Sequence, residues 1–182
     1  MDANNVSQVL LTRQDIQKRI AELASEIERD HPGPGRIHLV CVLKGGFMFL
    51  ADLIRAMGER VTLDFIALAS YGKSTTTSGE VRMLKDLDFG IEGRDVVIVE
   101  DIVDTGLTLN YLQDILRARG PRRLTTACLL SKPARRRVNV KVDYIGFEID
   151  DRFVVGYGLD YDELFRNLPH IGILGTGGEP GA

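Results

Sequence analysis

Short apolar segments alternate with helical patterns along this chain of 182 residues. Ile37 to Leu43 and Asp95 to Glu100 are typical of strands that are covered on both faces. Val61 to Ala69, Leu124 to Leu130 and Val142 to Ile149 are three further candidate strands. Because helical segments separate these strands, the sequence predicts an α/β fold with a mostly parallel twisted sheet flanked by helices.

Three segments before or between these strands have helical patterns. Thr12 to Asp30 repeats its apolar residues at helical spacing, and Thr12 with Asp15 resembles an N-terminal cap. Phe47 to Met57 and Leu107 to Arg119 are the other two candidate helices. Their positions are those expected of helices that cover the faces of a parallel sheet.

The chain has the size of one domain. No internal repeat and no linker divides it, and 44% of its residues are hydrophobic, which is enough to bury a sizeable core. We therefore predict a single domain over residues 1–182. Its two ends, residues 1–11 and 175–182, are predicted to be frayed, and the second of them is rich in glycine.

Charge and cysteine content indicate which partners and which compartment to expect. The net charge is -3 and the pI is about 5.6, whereas nucleic-acid binders usually carry a basic excess, so no nucleic-acid partner is expected. The basic run from Arg135 to Arg137 is interpreted as a solvated face. Cys41 and Cys128 lie inside candidate strands, as free thiols do in a reducing compartment. Since no apolar run is long enough to span a bilayer, we predict a cytoplasmic protein without a membrane partner.

A group of polar residues stands at the end of the strand that reaches Glu100. The strand delivers Glu100 and Asp101 at its carboxyl end, where open α/β sheets bind their ligands. Thr105, Gly106 and Thr108 then precede a predicted helix, so their N–H groups and hydroxyls can converge on a phosphate. The two carboxylates suit ribose hydroxyls or a Mg²⁺ ion. The alternative is an acidic turn whose aspartate only caps the helix.

Two other segments have compositions that suggest a role in binding. Lys44-Gly45-Gly46 follows a buried strand and suggests an anion site, although a plain connection between strand and helix has the same pattern. Ser70 to Glu80 is polar and has few apolar anchors, so we predict a mobile loop there.

The segment from Val96 to Thr108 resembles the motif with which type I phosphoribosyltransferases bind phosphoribosyl pyrophosphate (PRPP). Similarities from about Val40 to Leu168 narrow this resemblance to the hypoxanthine-guanine phosphoribosyltransferases. The resemblance implies a small hood over the active site and a homodimer or homotetramer. It also implies a Mg²⁺-dependent purine-salvage transferase, which converts PRPP and a 6-oxopurine into the nucleoside 5′-monophosphate (IMP or GMP) and pyrophosphate.

The resemblance assigns roles to the acidic turn. Asp104 is expected to act as general base near the purine N7, and Glu100 and Asp101 to hold the ribose hydroxyls and Mg²⁺. The residues expected to cradle the 5′-phosphate are Thr105, Gly106, Leu107 and Thr108. Some family members have lysine where Leu107 stands, but the phosphate contacts of this loop come largely from the backbone.

The resemblance also identifies residues for the leaving group and for a lid. The residues that match the pyrophosphate loop and the start of the mobile catalytic loop are Lys44, Gly45, Ser70 and Tyr71. Arg166 is expected to contact pyrophosphate, because its planar fork pairs with phosphate oxygens. A surface ion pair between Arg166 and Asp162 or Glu163 is the other interpretation of that arginine.

Four residues match the purine site of the family. Lys132 is expected to donate a hydrogen bond to the purine O6, and a pure donor favours a 6-oxo group over the 6-amino group of adenine. Phe153 is expected to stack on the base, and Val154 to bond it through the main chain. Asp160 is expected to lie at the base and to hold a second Mg²⁺. Taken alone, Lys132 could be a solvated lysine and Phe153 a core residue.

Two alternative functions fit parts of the same pattern. One is a xanthine-preferring phosphoribosyltransferase, because the contacts to the exocyclic groups are expected from the main chain. The other is an RNA-binding regulator on the same fold. The purine-site set and the acidic charge balance argue against the regulator.

Overall fold

The computed structural model describes residues 6–33, 35–70 and 81–175. Over these ranges the elements are, in chain order, β1 (Val6–Leu11), α1 (Arg13–Asp30), β2 (Ile37–Leu43), α2 (Phe47–Ala56), β3 (Val61–Ser70), β4 (Val81–Lys85), β5 (Asp95–Val103), α3 (Leu107–Arg117), β6 (Arg123–Ser131), β7 (Tyr144–Glu148), β8 (Val154–Val155) and β9 (Ile171–Leu174). A single turn of 3-10 helix at Pro133–Arg135 follows β6.

The main sheet has six strands in the order β4–β3–β2–β5–β6–β7. Every neighbouring pair in it is parallel except β3 with β4. This arrangement confirms the predicted α/β fold with a mostly parallel sheet flanked by helices. The carboxyl ends of β2, β5 and β6 therefore lie side by side at one edge of the sheet.

Both faces of the sheet are covered, which explains why its strands are apolar throughout. In β2, Leu39 and Cys41 pack into the cluster that contains α1 and α2. Val40 and Val42 pack into the opposite cluster with α3. Successive side chains of a strand point to opposite faces, so a strand with helices on both sides needs apolar residues at every position.

Helix α1 begins where its capping residues predict. Thr12 Oγ1 accepts a hydrogen bond from Asp15 N at 3.2 Å, and Asp15 Oδ2 accepts one from Thr12 N at 3.0 Å. This reciprocal pair satisfies two N–H groups that would otherwise lack partners at the helix start. The predicted cap is confirmed.

The predicted fraying of residues 1–11 is wrong for Val6–Leu11. These residues form β1, which pairs antiparallel with β9, and β9 pairs antiparallel with β8. The result is a second sheet in the order β1–β9–β8, which corresponds to the hood implied by the family resemblance. The pairing supplies backbone hydrogen bonds from residues about 160 positions away, and a local pattern cannot report such a partner. Residues 1–5 and 176–182 lie outside the described residues.

Two strands in the main sheet differ from the prediction. β4 (Val81–Lys85) was not predicted, because its support comes from pairing with β3 rather than from a pattern of its own. β5 extends to Val103, beyond the predicted end at Glu100, because it continues to pair with β6. Glu100 and Asp101 therefore lie within the last part of the strand and not after it.

Candidate active site

Asp104 and Lys132 meet because the two strands before them are in register. Val103 at the end of β5 pairs with Ser131 at the end of β6. The N–H of Lys132 donates a hydrogen bond to the carbonyl of Val103 at 3.0 Å. Residues that follow paired positions on parallel strands leave the sheet side by side, so Asp104 and Lys132 reach the same cavity.

This cavity has a volume of about 430 Å³ and lies between the carboxyl edge of the main sheet and the segment around β8. Its lining residues are Asp101, Ile102, Asp104, Lys132, Arg135, Asp151, Phe153, Val154, Leu159 and Asp160. All four predicted purine-site residues belong to this set, together with Asp101 and Asp104 from the acidic turn. The tertiary structure thus brings together two groups of residues that are 28 to 59 positions apart in the chain.

Lys132 is buried at the wall of the cavity and is not a solvated lysine. Its side chain is only 8% exposed. The ammonium donates a hydrogen bond to the main-chain carbonyl of Arg152 at 2.7 Å and lies 3.7 Å from Asp151 Oδ1. Because an ammonium has three donors, one or more of them can still be directed at a ligand.

Phe153 is not a core residue. It is 52% exposed, and its ring meets the ring of Tyr161 edge to face with centroids 5.7 Å apart. Val154, the next residue, is buried in β8. An exposed aromatic face beside an anchored strand is an arrangement that can stack on a planar base.

A second, smaller cavity of about 120 Å³ lies at the turn between β5 and α3. Its lining residues include Glu100, Asp104, Thr105, Gly106 and Thr108. Gly106 has φ 84°, and a Cβ at this position would lie 2.7 Å from Val140 Cγ1, so glycine is required here. The free N–H groups at the start of α3 favour an anion.

The turn has little side-chain support of its own. Leu107 N donates a long hydrogen bond of 3.4 Å to Thr105 Oγ1. Leu107 itself is partly buried as the first residue of α3. The side chain of Leu107 supplies no polar group, so the turn offers a phosphate its backbone and hydroxyl groups.

Glu100 and Asp101 are adjacent carboxyl groups whose ionised forms the protein does not fully compensate. Glu100 is buried, and its Oε2 has no hydrogen-bond partner among the described residues. Burial raises the pKa of Glu100 well above its usual value, and the Asp101 carboxylate raises it further. Burial also raises the pKa of Asp101 to about 6, although backbone hydrogen bonds and the charge of Arg166 act to lower it.

The loop after β2 packs directly on this acidic pair. A Cβ on Gly45 would lie 1.5 Å from Asp101 Oδ2, so only glycine allows this approach. The carbonyl of Gly45 in turn lies against Gly158, where a Cβ would come within 2.2 Å of it. The peptide bond between Leu43 and Lys44 is cis. These contacts place the predicted pyrophosphate loop beside the acidic residues.

Arg166 has an ionic partner at the site. Its Nη2 lies 2.8 Å from Asp160 Oδ1 and 3.5 Å from Glu163 Oε1, and its Nη1 donates to the carbonyl of Gly158 at 2.8 Å. The ammonium of Lys44 pairs with Glu163 Oε2 at 2.7 Å. Lys44 and Arg166 therefore both form ion pairs with acids of the segment from Asp160 to Glu163. Of the two acids that the sequence offered as ion-pair partners of Arg166, Glu163 is within ion-pair distance and Asp162 is not, and the nearest acid is Asp160, which was not among them.

The three acids predicted to bind metal do not form a metal cage by themselves. No group of three His, Cys, Asp or Glu residues with ligating geometry occurs within the described ranges. Mg²⁺ commonly takes one or two carboxylates and completes its shell with water and substrate phosphates. The unpaired oxygen of Glu100 and the raised pKa values of Glu100 and Asp101 fit such a cation, and Asp160 stands next to them.

The sequence analysis missed two residues that line the larger cavity, Arg135 and Asp151. The interpretation of the run Arg135 to Arg137 as a solvated face holds for the exposed Arg135 and Arg137 and is wrong for Arg136, which is partly buried; Arg135 nevertheless makes specific ion pairs. Arg135 contacts Asp104 and Asp151, and Arg136 donates to Ser131 Oγ at 2.9 Å. The available signal was the spacing of Lys132 and Arg135, which are three residues apart with Pro133 between them. One turn of 3-10 helix brings residues at this spacing to the same side.

Of the predicted mobile loop from Ser70 to Glu80, only Ser70 lies within the described residues. Ser70 is the last residue of β3 and pairs with Val81 of β4. Tyr71 and the rest of the loop up to Glu80 lie outside the described residues. Ser70 and Val81, between which the undescribed residues lie, are thus neighbours in the main sheet.

Within the part of the chain that the structure describes, no helix is both long and apolar enough to cross a membrane.

Comparisons with known proteins identify the family of the chain. The family model described as "Phosphoribosyl transferase domain" matches residues 7–162. The hypoxanthine-guanine phosphoribosyltransferase of Bacillus subtilis is 45% identical over 174 residues, which is 96% of each chain. The enzyme of that name from Mycobacterium tuberculosis is 50% identical over 175 residues, covering 93% of this chain and 87% of the relative.

Solved structures of hypoxanthine phosphoribosyltransferases have the same fold as this chain. A hypoxanthine phosphoribosyltransferase from Staphylococcus aureus superimposes with a TM-score of 0.89 at 43% identity, covering 94% of this chain and 92% of that one. The hypoxanthine phosphoribosyltransferase of Trypanosoma cruzi in complex with IMP superimposes with a TM-score of 0.89 at 44% identity, covering 97% and 98%. The chain belongs to the phosphoribosyltransferase family, among the hypoxanthine-guanine phosphoribosyltransferases.

Proposed function

We propose that this chain transfers the phosphoribosyl group of PRPP to a 6-oxopurine, hypoxanthine or guanine, and releases pyrophosphate. The observation that carries the proposal is the shared cavity of Asp104 and Lys132, which borders the phosphate-type turn at Gly106. Two adjacent cavities, which share Ile102 and Asp104 in their linings, thus offer a proton acceptor, a hydrogen-bond donor and an anion site. The printed names of the relatives, and the IMP complex of the Trypanosoma cruzi enzyme, support the same substrates.

Recognition of the purine base depends mainly on the side chains of Lys132 and Phe153. The Lys132 ammonium donates to the purine O6, and adenine offers only an amino group at that position. The exposed ring of Phe153 stacks on the base, which contributes about 1–3 kcal/mol. The main chain of Val154 and the segment at Asp160 contact the remaining edge of the base.

Transfer forms the bond between purine N9 and C1 of the ribose and breaks the bond between C1 and the pyrophosphate oxygen. The sugar gains positive charge while the pyrophosphate gains negative charge. Asp104 accepts the proton of the purine at N7, or holds it there as charge develops, and a positioned base of this kind contributes about 10²–10⁴-fold. The site binds the purine base and PRPP side by side. Much of the entropic cost of bringing the two reactants together is therefore met by binding, before the chemical step.

The phosphates of PRPP bind at two places on the acidic edge. Thr105 to Thr108 hold the 5′-phosphate at the start of α3. Arg166 and the loop of Lys44 and Gly45 hold the leaving pyrophosphate. Glu100 and Asp101 hold the ribose hydroxyls between these two sites.

Glu100, Asp101 and Asp160 are the residues that would hold Mg²⁺ together with the ligand. When bound, Mg²⁺ neutralises charge on the pyrophosphate and orients it. Binding of a cation also offsets the burial of the two adjacent carboxylates, whose pKa values are raised in the metal-free protein.

The proposal also includes a lid over the site, the oligomeric state and the cellular compartment. Ser70 and Tyr71 begin a lid that excludes water from the reacting sugar. The homodimer or homotetramer is proposed on the family resemblance of the sequence. Buried free thiols at Cys41 and Cys128 support a reducing compartment, the cytoplasm.

A spectrophotometric assay tests the proposal. PRPP and Mg²⁺ are supplied with hypoxanthine, guanine, xanthine or adenine in separate reactions. We expect turnover of hypoxanthine or guanine, no turnover of adenine, and loss of activity on chelation that added Mg²⁺ restores. Turnover of xanthine in preference to the other two would replace the assigned substrate, and no turnover of any purine would contradict the proposed function.

A further inference from the structure

Two consecutive arginines hold Asp104, one by its side chain and one by its backbone. Arg135 Nε lies 2.7 Å from Asp104 Oδ1. The guanidinium of Arg136 donates to the main-chain carbonyl oxygens of Val103 and Asp104. The loop that presents Asp104 is therefore supported by the segment that follows Lys132.

Arg135 is itself fixed from the other side of the cavity. Its Nη1 donates to both carboxylate oxygens of Asp151, at 3.1 and 3.2 Å. Its backbone belongs to the 3-10 turn that starts at Pro133. Because a guanidinium presents several donors in a planar fork, one side chain can contact two carboxylates at once.

The Asp104 carboxylate has no other partner among the described residues. Neither of its oxygens accepts a hydrogen bond there, and Oδ1 is buried. The contact with Arg135 is thus ionic, without the alignment of a full hydrogen bond. The direction of this carboxylate consequently depends on Arg135.

We infer that Arg135 is a positioning residue that aims the Asp104 carboxylate into the base cavity, with Asp151 as its second anchor. The inference rests on the proposed function, because it assigns Arg135 a part in the step in which Asp104 takes up the purine proton. Arg135 acts through Asp104 and not through PRPP, whose phosphates bind at the turn of Thr105 to Thr108 and at the loop of Lys44.

The first test compares three variants in assays that vary PRPP while the purine is saturating, so that both kcat and KM for PRPP are measured. Arg135→Ala is expected to lower kcat about 10- to 100-fold, because a small displacement of a catalytic group has effects of this size, while KM for PRPP changes by less than about twofold. Arg135→Lys is expected to recover much of the loss, since an ammonium can still reach the carboxylate. Arg137→Ala is the matched control, because it removes an exposed arginine two residues away that makes no ion pair with the described residues.

A double-mutant cycle with Asp104→Asn decides whether Arg135 acts through Asp104. In the Asp104→Asn background, Arg135→Ala is expected to change kcat by less than about twofold. An undiminished effect in that background would overturn the inference, as would an Arg135→Ala enzyme with the kcat of Arg137→Ala. If Arg135→Ala does not fold, Asp151→Asn replaces it, with a smaller fall in kcat expected; an unchanged kcat in that variant also overturns the inference.

Assay of the unsubstituted protein distinguishes a failure of the proposed function from a failure of the role inferred for Arg135. Absence of turnover in the parent chain with any 6-oxopurine contradicts the proposed function. Turnover in the parent chain with no effect at Arg135 contradicts only the role of Arg135.

Discussion

The ammonium of Lys132 donates a hydrogen bond to the main-chain carbonyl of Arg152, 2.7 Å away. This contact joins the end of β6, in the main sheet, to the segment that leads into β8, in the small sheet. Phe153 and Val154 follow Arg152 directly, so the donor for the purine O6 and the platform for the ring are held by the same contact.

Substitution of Lys132 tests this arrangement. We expect Lys132→Ala to lower kcat/KM for hypoxanthine about 10- to 100-fold, because a hydrogen bond from a charged group contributes about 1.5–3 kcal/mol. KM for PRPP should change by less than about twofold. Steady-state kinetics with each substrate varied in turn measures both, and Lys18→Ala on the exposed side of α1 is the control. Equal losses for PRPP and for every base would show that Lys132 has only a structural role.

Substitution of Asp104 tests the proton-accepting role. Asp104→Asn keeps the shape of the side chain and removes its ability to accept a proton, so we expect kcat to fall about 10²–10⁴-fold. PRPP affinity, measured by calorimetry with Mg²⁺ present, should stay within about twofold because the phosphate contacts come from other residues. Asp114→Asn, an exposed position on α3, serves as control. Unchanged turnover would remove Asp104 from the mechanism.

Glu100 is expected to favour binding at the expense of stability. Its carboxyl group is buried beside Asp101, and burial and the neighbouring carboxylate both raise its pKa. The ionised form therefore costs folding free energy at pH 8, and an amide has no charge to bury. Glu100→Gln should therefore raise the Tm of the ligand-free protein at pH 8, by about 2–4 °C for each kcal/mol gained, while turnover falls. Thermal unfolding without Mg²⁺ or PRPP measures the shift, with the exposed Glu59→Gln as control. A lower Tm would mean that the carboxylate stabilises the ligand-free fold.

The pair of Asp95 and Arg122 should make stability depend on acid pH. Arg122 donates to both oxygens of Asp95 at 2.9 and 2.7 Å, and these bonds lower the pKa of Asp95 below its usual value. Stabilisation by a carboxylate with a lowered pKa is complete above the unfolded pKa of about 3.9 and is lost as the pH falls through the folded pKa.

Urea unfolding at pH 7, 5 and 3.5 measures this dependence. Arg122→Ala is expected to lower the free energy of unfolding at pH 7 and 5, only modestly because the guanidinium is largely exposed, and by less at pH 3.5. Arg36→Ala near the same edge, without an ion pair to the described residues, should show no such dependence. A deficit that grows toward pH 3.5 would contradict the assignment.

Much of the fold was predictable because its signals are local. The cap of Thr12 with Asp15 joins residues three positions apart, and the apolar runs of β2 and β5 require cover on both faces wherever that cover comes from. The ends of the elements were less predictable. β1 is a strand because β9 pairs with it, and β4 because β3 does, and neither partner is visible in the segment itself.

The sequence by itself determined the parallel sheet, the phosphate-type turn from Asp104 to Thr108 and the identity of the polar groups, because each follows from a short run of residues. Only the tertiary structure decided which of these groups meet. The register of Val103 with Ser131 places Asp104 beside Lys132, and one further turn brings in Arg135, whose partners lie 31 and 16 positions away in the chain. Contacts of this kind depend on the alignment of whole strands, and no local pattern of residues carries that information.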